Sequence, residues 1–268
     1  MNIEMDVEMD IIKTGDTAIG EYEEVLLRRD NLRKEAEQYH MAYIREFGDL
    51  ITKAFEQKVE CIRKKKMIAY CQRQVNMGKK IEGARLDTYI ETEMVEYREE
   101  LESMAKDVRA AKNSKKISPG EVMKIKKTYH GLAKKIHPDL HPELKEDERL
   151  KAYWQRIMIA YNYNQLKDLE ELELLVSFYL NDLDNNNKGI QIQKIHIDDL
   201  ADKIAAVEAE IKEITSTNPY LYKAILADEM EKMRRKQEYR DEIATYEMYS
   251  AQLDDVLSTF DVERGKLS

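Results

Sequence analysis

Glycine and proline are scarce in this sequence, which has 9 Gly and 4 Pro among 268 residues. Both residues favour turns, so their scarcity argues against a fold built from many short strands and tight hairpins. Charged residues reach 36 % instead, and apolar residues recur at steps of three and four along most of the chain. This pattern is typical of long helices with charged outer faces. We therefore predict an all-α fold.

Cysteine is scarce, with 2 residues, and an excess of positive charge and long apolar runs are absent. The net charge of −9 disfavours a nucleic-acid-binding protein, since phosphate contacts need a basic surface. Cys61 and Cys71 form no CxxC motif, so we expect no zinc ribbon, no other metal and no cofactor. The sequence has no run of about eighteen apolar residues, so we predict no membrane span. The two thiols and the acidic first ten residues lead us to expect a cytoplasmic protein.

Turn signals and composition changes divide the chain into five parts. Residues 1–20 read as an acidic, weakly patterned tail, and residues 21–112 as a long antiparallel helical hairpin. A change in composition near residue 113 opens a third part, 113–180, in which the functional motif lies. The Asn-rich stretch 181–189 is predicted to be a linker, and 190–268 to be a second helical hairpin of coiled-coil type.

The last part contains two apolar seams separated by a Thr-Asn-Pro turn. One runs from Ile197 to Ile214 and the other from Ile243 to Phe260, each at steps of three and four. Because a short turn makes pairing within one chain easy, we expect these seams to pack on each other without a second chain.

Two amphipathic helices with a polar loop between them are predicted in the third part. The first helix, near residues 121–136, carries apolar residues on one side and lysines mostly on the other; Asp147 to Gln165 forms the second. Pro138 disfavours helical geometry at His137, so the first helix should end there. We expect the loop to lie on the surface, with the His137 and Asp139 side chains exposed as hydrogen-bonding groups.

This part resembles a known family. The run from Ile125 to Asp139, IKKTYHGLAKKIHPD, is similar to the second helix and His-Pro-Asp loop of J-domains, the modules of DnaJ-type co-chaperones. Trp154, Ile157, Ala160 and Tyr161 look like the third helix, and 168–179 like the fourth. The first-helix motif of the family is not visible before Ile117, and His130 and Gly131 stand where basic residues are frequent. No Gly/Phe-rich stretch and no CxxCxGxG repeat follows, so the chain resembles a minimal member of the family.

The resemblance implies a binding function without chemistry of its own. A J-domain docks its basic helix on an acidic surface of a DnaK-type ATPase chaperone, and the His-Pro-Asp loop then favours ATP hydrolysis. Carried over to this chain, the docking residues are Lys126, Lys127 and Lys135, and the trigger residues are His137, Pro138 and Asp139. Charge alone suggests Lys124 and Lys134 as further contacts. The helical flanks would then bind a client protein that the sequence does not identify.

Two other interpretations remain open at this stage. The first is a structural coiled-coil scaffold with a J-like fold that does not stimulate an ATPase. The second is an enzyme using His137 and Asp139 as acid and base, which we disfavour because no nucleophile motif, phosphate loop or ligand set accompanies them. We expect the protein not to be an enzyme.

Overall fold

The computed structural model describes residues 2–113, 117–144, 146–185 and 197–263. Within these ranges the protein is all-α, as predicted, and long helices pack against each other. The nine α-helices are α1 (Asn2–Asn76), α2 (Gly83–Glu93), α3 (Val95–Asn113), α4 (Pro119–Ile136), α5 (Glu148–Asn162), α6 (Leu166–Asn185), α7 (Ile197–Ser216), α8 (Tyr222–Ala227) and α9 (Glu229–Ser258). A 3-10 turn at Pro142–Leu144 and a parallel pair of two-residue strands, β1 (Ile81–Glu82) and β2 (Val262–Glu263), complete these ranges.

The chain divides into two compact units. One takes its residues from the ranges 1–39 and 115–221, and the other from 40–114 and 222–268. Helix α1 contributes to both units, since its residues up to 39 belong to the first and its later residues to the second.

The first unit is built around α4, α5 and α6, which contact each other pairwise. Its core contains the apolar face expected from the sequence on α4 and α5, joined by residues of α6 and by Leu27 of α1. The buried members are Leu27, Ile125, Tyr129, Leu132, Ala133, Ile136, Leu144, Leu150, Tyr153, Ile157, Ala160, Tyr161, Leu169, Leu172 and Val176. Burial of this apolar surface stabilises the unit by about 25 cal/mol for each Å² removed from water.

Local sequence signals set the ends of α4 and α5. Ser118 and Glu121 form a capping box at the start of α4, with Pro119 in the first helical turn. Helix α4 stops at His137, whose extended ψ of 126° is the geometry that a following proline imposes. Asp147 caps α5 by accepting hydrogen bonds from the amides of Arg149 and Leu150.

The second unit packs later residues of α1 with α2, α3 and the strand pair. Its main cluster contains Val59 and Cys71 of α1 with Leu86, Ile90 and Met94. Gly48 lies in the interior of α1. In the structure a Cβ atom at Gly48 would lie 2.6 Å from Cγ2 of Val108. The glycine therefore allows α3 to approach α1 closely.

Several element boundaries differ from the prediction. Helix α1 already begins at Asn2, within the predicted tail, and the second helix of the first hairpin is divided at Met94 into α2 and α3. The predicted linker 181–189 overlaps α6, which continues to Asn185, while residues 186–189 lie outside the described residues. Such boundaries depend on tertiary packing more than on local propensity.

The two seams of the last part do not pair as expected. Leu200, Val207 and Ile211 of α7 pack against Tyr22 and Leu26 of α1 in the first unit. The seam on α9 belongs to the second unit, where Ser250 accepts a hydrogen bond from the buried amine of Lys64 at 2.7 Å.

Candidate docking site

The His-Pro-Asp loop follows α4 directly, and hydrogen bonds back to His137 fold it tightly. The amides of Leu140 and His141 donate to the carbonyl oxygen of His137 at 3.0 and 2.8 Å. The amide of Asp139 donates to Nδ1 of His137 at 3.0 Å, and Nε2 of His141 lies 2.7 Å from the carbonyl oxygen of Lys134. These bonds hold the loop in one turn.

His137 is buried, and only 3 % of its surface remains exposed. Our expectation of an exposed imidazole is therefore wrong. Its ring packs against the indole of Trp154 on α5, edge to face, with the ring centroids 4.8 Å apart. Because a backbone amide can only donate, Nδ1 of His137 must accept, and the proton of a neutral ring is left on Nε2. Nε2 points toward Oδ2 of Asp30 on α1, 3.4 Å away.

Asp30 links α1 to this buried histidine. Its carboxylate accepts a hydrogen bond from the Tyr129 hydroxyl at 2.7 Å and another from Arg29 at 3.0 Å. Burial by itself would raise the pKa of Asp30, but the hydrogen bond from His137, the charge of Arg29 and the Tyr129 hydroxyl together hold this pKa below its usual value. The carboxylate is therefore ionised in the folded protein at neutral pH. Burial and the neighbouring Asp30 raise the pKa of Tyr129, which keeps that hydroxyl a donor.

Asp139 and Pro138 are half-buried. Oδ2 of Asp139 lies 3.6 Å from the Arg29 guanidinium, which also lies 3.6 Å from Glu210 on α7. The next loop residue, Leu140, packs against the cluster that Tyr22 and Leu26 of α1 form with residues of α7. The loop is thus in contact with α1 over most of its length, where the sequence predicted a free surface.

The lysines of α4 fall into two groups. Lys126 is half-buried and lies 3.6 Å from Glu35, whereas Lys134 is 2.6 Å from Glu23; both glutamates are on α1. Lys124, Lys127 and Lys135 are exposed to solvent, and the Lys135 amine donates to Ser177 of α6 at 3.2 Å. The structure therefore places all five lysines on one helix but turns two of them toward α1.

Sequence reasoning missed the residues that α1 brings to this site. Arg29 and Asp30 lie about a hundred positions before the loop in a charged helical stretch, and such a stretch usually indicates a solvated face. Asn31 was missed for the same reason. Its side chain lies 3.2 Å from the His130 ring and accepts a hydrogen bond from the Tyr161 hydroxyl. No local signal in the sequence distinguishes these residues from ordinary surface residues.

The described part of the chain contains no group of three or more His, Cys, Asp or Glu side chains arranged to hold a metal ion. None of the helices in that part is both long and apolar enough to cross a bilayer. Comparison with models of known protein families, with curated proteins and with solved structures gave no match. The interpretation of the site therefore depends on its own residues.

Proposed function

We propose that this protein is a J-domain-type co-chaperone that docks on a DnaK-type ATPase chaperone and stimulates its ATP hydrolysis. One observation carries the proposal. The His-Pro-Asp loop lies at the tip of the α4–α5 pair, His137 is held in one orientation by Trp154 and by the Asp139 amide, and basic residues extend along the preceding helix. A loop held this rigidly loses little conformational entropy when a partner binds it.

In this proposal the exposed lysines of α4 act first and the loop acts second. Lys124, Lys127 and Lys135 carry solvated charges that attract an acidic surface and raise the encounter rate. Lys126 and Lys134 join them when their partners on α1 are displaced. Pro138 and Asp139 then contact the chaperone and favour its hydrolysing state. We place the protein in the reducing cytoplasm, in keeping with its free buried thiols at Cys61 and Cys71.

The test is steady-state ATP hydrolysis by a DnaK-type chaperone over a range of concentrations of the full chain. Lys127→Glu should weaken binding, so more protein is needed for half-maximal stimulation, while the maximum is largely recovered at saturation. Asp139→Asn should lower the maximum itself. Lys151→Glu is the matched control, because it reverses an equally exposed charge on α5 and should change neither value.

Salt gives a second readout for the same proposal. Between about 50 and 300 mM salt the Debye length shortens more than twofold, so electrostatic docking should weaken clearly. Binding that is insensitive to salt over this range would contradict docking through the lysines of α4.

A structural scaffold that does not stimulate an ATPase is the second candidate. The burial of His137 against Asp30 and Trp154 favours it, because packing alone then gives a reason for this histidine. The wild-type chain and variants that loosen α1 are assayed over the same range of concentrations. If none of them stimulates ATP hydrolysis at any concentration, the result supports the scaffold and excludes the co-chaperone.

A further inference from the structure

Helix α1 runs antiparallel to α4 across the proposed docking surface. As the residue on α1 advances from Glu23 to Glu35, its partner on α4 moves back from Lys134 to Lys126. Between these two ion pairs, Asn31 faces His130. The contacts therefore extend over about two to three turns of each helix and are not a single local bond.

The charges on the two helices are complementary. Glu23 and Glu35 face Lys134 and Lys126 on α4. The Asp30 carboxylate lies 3.4 Å from Nε2 of His137 in the loop. Carboxylates against this basic face are also the chemistry expected of the chaperone surface in the proposed function. A chaperone that pairs with Lys126 or Lys134, or that reaches the buried side of the loop, would have to replace these contacts.

The α1 contacts also restrict the loop itself. Arg29 lies against Asp139 and Asp30 against His137. Leu140 packs against the cluster that α1 and α7 form together. Asp139 is still partly accessible, with 39 % of its side-chain surface exposed. A partner can thus meet the edge of the loop but cannot reach its buried side while α1 is in place.

We propose that residues 22–35 of α1, here called the α1 cover, are an autoinhibitory element that shields the His-Pro-Asp loop and the basic face of α4 and must move away before full docking. The inference rests on the proposed function and adds its regulation. It explains why the chain places the carboxylates of Glu23, Asp30 and Glu35 on the surface that the co-chaperone function needs free.

Features of the interface itself allow the cover to open. The outer ion pairs are partly solvated, and such pairs contribute little stability and weaken with salt. The amine of Lys34 is buried beneath the Tyr161 ring, 3.7 Å from its centroid, and has no hydrogen-bond partner among the described residues. An unsatisfied buried amine limits how strongly the cover can be held.

The test uses the full chain with Glu23→Lys and Glu35→Lys together, which turns two attractions into repulsions without altering α4 or the loop. We expect the concentration for half-maximal ATPase stimulation to fall by about tenfold, the shift that a modest change in the closed-to-open ratio produces, with the maximum unchanged. Glu102→Lys with Glu247→Lys is the matched control, because both glutamates are exposed and belong to the other unit; it should leave the curve unchanged.

A second variant closes the cover instead of opening it. Glu23→Cys with Lys134→Cys, joined by a short reducible bifunctional thiol reagent, should lose stimulation and regain it when the linker is reduced. The native thiols are buried, and the two single-cysteine variants control for their modification. This comparison is made within one variant, so it does not depend on how the substitutions affect folding.

The outcomes separate the two proposals. If the wild type and the Glu23→Lys, Glu35→Lys variant stimulate with the same half-maximal concentration, and the linked variant stays active, the cover is refuted and the co-chaperone function stands. If the wild type, the opened variant and the reduced variant all fail to stimulate at saturating concentration, the proposed function fails, and the cover fails with it.

Discussion

Replacing Asp30 by Asn tests whether the contacts between α1 and the loop are a cooperative part of the first unit. The substitution keeps the shape of the side chain and one acceptor oxygen for Tyr129, but it removes the negative charge that faces Arg29 and His137. Losing one partner of a buried ion pair costs about 3–5 kcal/mol. Since Arg29 keeps Asp139 and Glu210 at 3.6 Å, we expect the lower end, about 3 kcal/mol.

The single tryptophan makes this loss measurable in the unit concerned. Trp154 contacts His137 and packs against the core of α4 and α5, so its fluorescence reports on the region around the loop. With a urea m-value of about 2 kcal/mol per M, the expected loss lowers the Trp154 transition midpoint by about 1.5 M. Asp49→Asn is the control, because Asp49 is exposed and pairs with Lys112 in the other unit; exposed pairs contribute under about 1 kcal/mol.

The pH dependence supplies an independent check on the same carboxylate. The pKa of Asp30 is lower in the folded protein than the ordinary 3.8, so the stability that it provides is fully present above about pH 4 and is lost as the pH falls through the folded pKa. The difference in stability between the wild type and Asp30→Asn should therefore shrink below pH 4. A variant as stable as the Asp49→Asn control, or a difference independent of pH down to 2, would refute the role assigned to Asp30.

Two further changes are expected to stabilise the protein and one to destabilise it. Lys34→Met should raise the stability of the first unit by about 1–3 kcal/mol at pH 7, because burial lowers the pKa of the Lys34 amine to about 8. This gain should shrink as the pH rises from about 8 to 10.5, since the amine of the folded wild type has then lost its proton. A loss of stability in the variant would show that the contact between Lys34 and Tyr161 outweighs the cost of burial. Gly131→Ala should add about 0.5–1 kcal/mol, since the new Cβ meets only an ordinary contact at 3.8 Å and alanine is the better helix former; an unchanged urea midpoint would contradict this. Gly48→Ala should instead cost about 1–3 kcal/mol, because its Cβ would lie 2.6 Å from Val108. Thermal unfolding followed by circular dichroism distinguishes the two glycine substitutions. Melting temperatures that shift in the same direction for both variants would refute the argument from close approach.

Much of the local structure followed from residues that are near one another in the chain. The apolar steps of three and four predicted the all-α class, and the face formed by Ile125, Tyr129, Leu132 and Ile136 is buried as expected. Pro138 predicted the end of α4, and the predicted start near residue 121 lies two residues inside the observed helix. These signals act over a few residues, through capping, proline sterics and one-sided burial, and so they can be read without a tertiary structure.

The pairing of the helices was decided only in the tertiary structure. Leu200 and Val207 could have packed on the seam of α9, but they pack on Tyr22 and Leu26, because apolar seams with the same spacing are interchangeable until the whole chain is arranged. The same freedom brings Arg29 and Asp30 to the loop, about a hundred residues away, and buries His137 where local sequence predicts an exposed turn. The residues next to a charged position on a helix do not indicate which partner will neutralise the charge. The sequence by itself therefore determined the helices and the loop, while the packing of α1 determined which of their polar groups remain accessible.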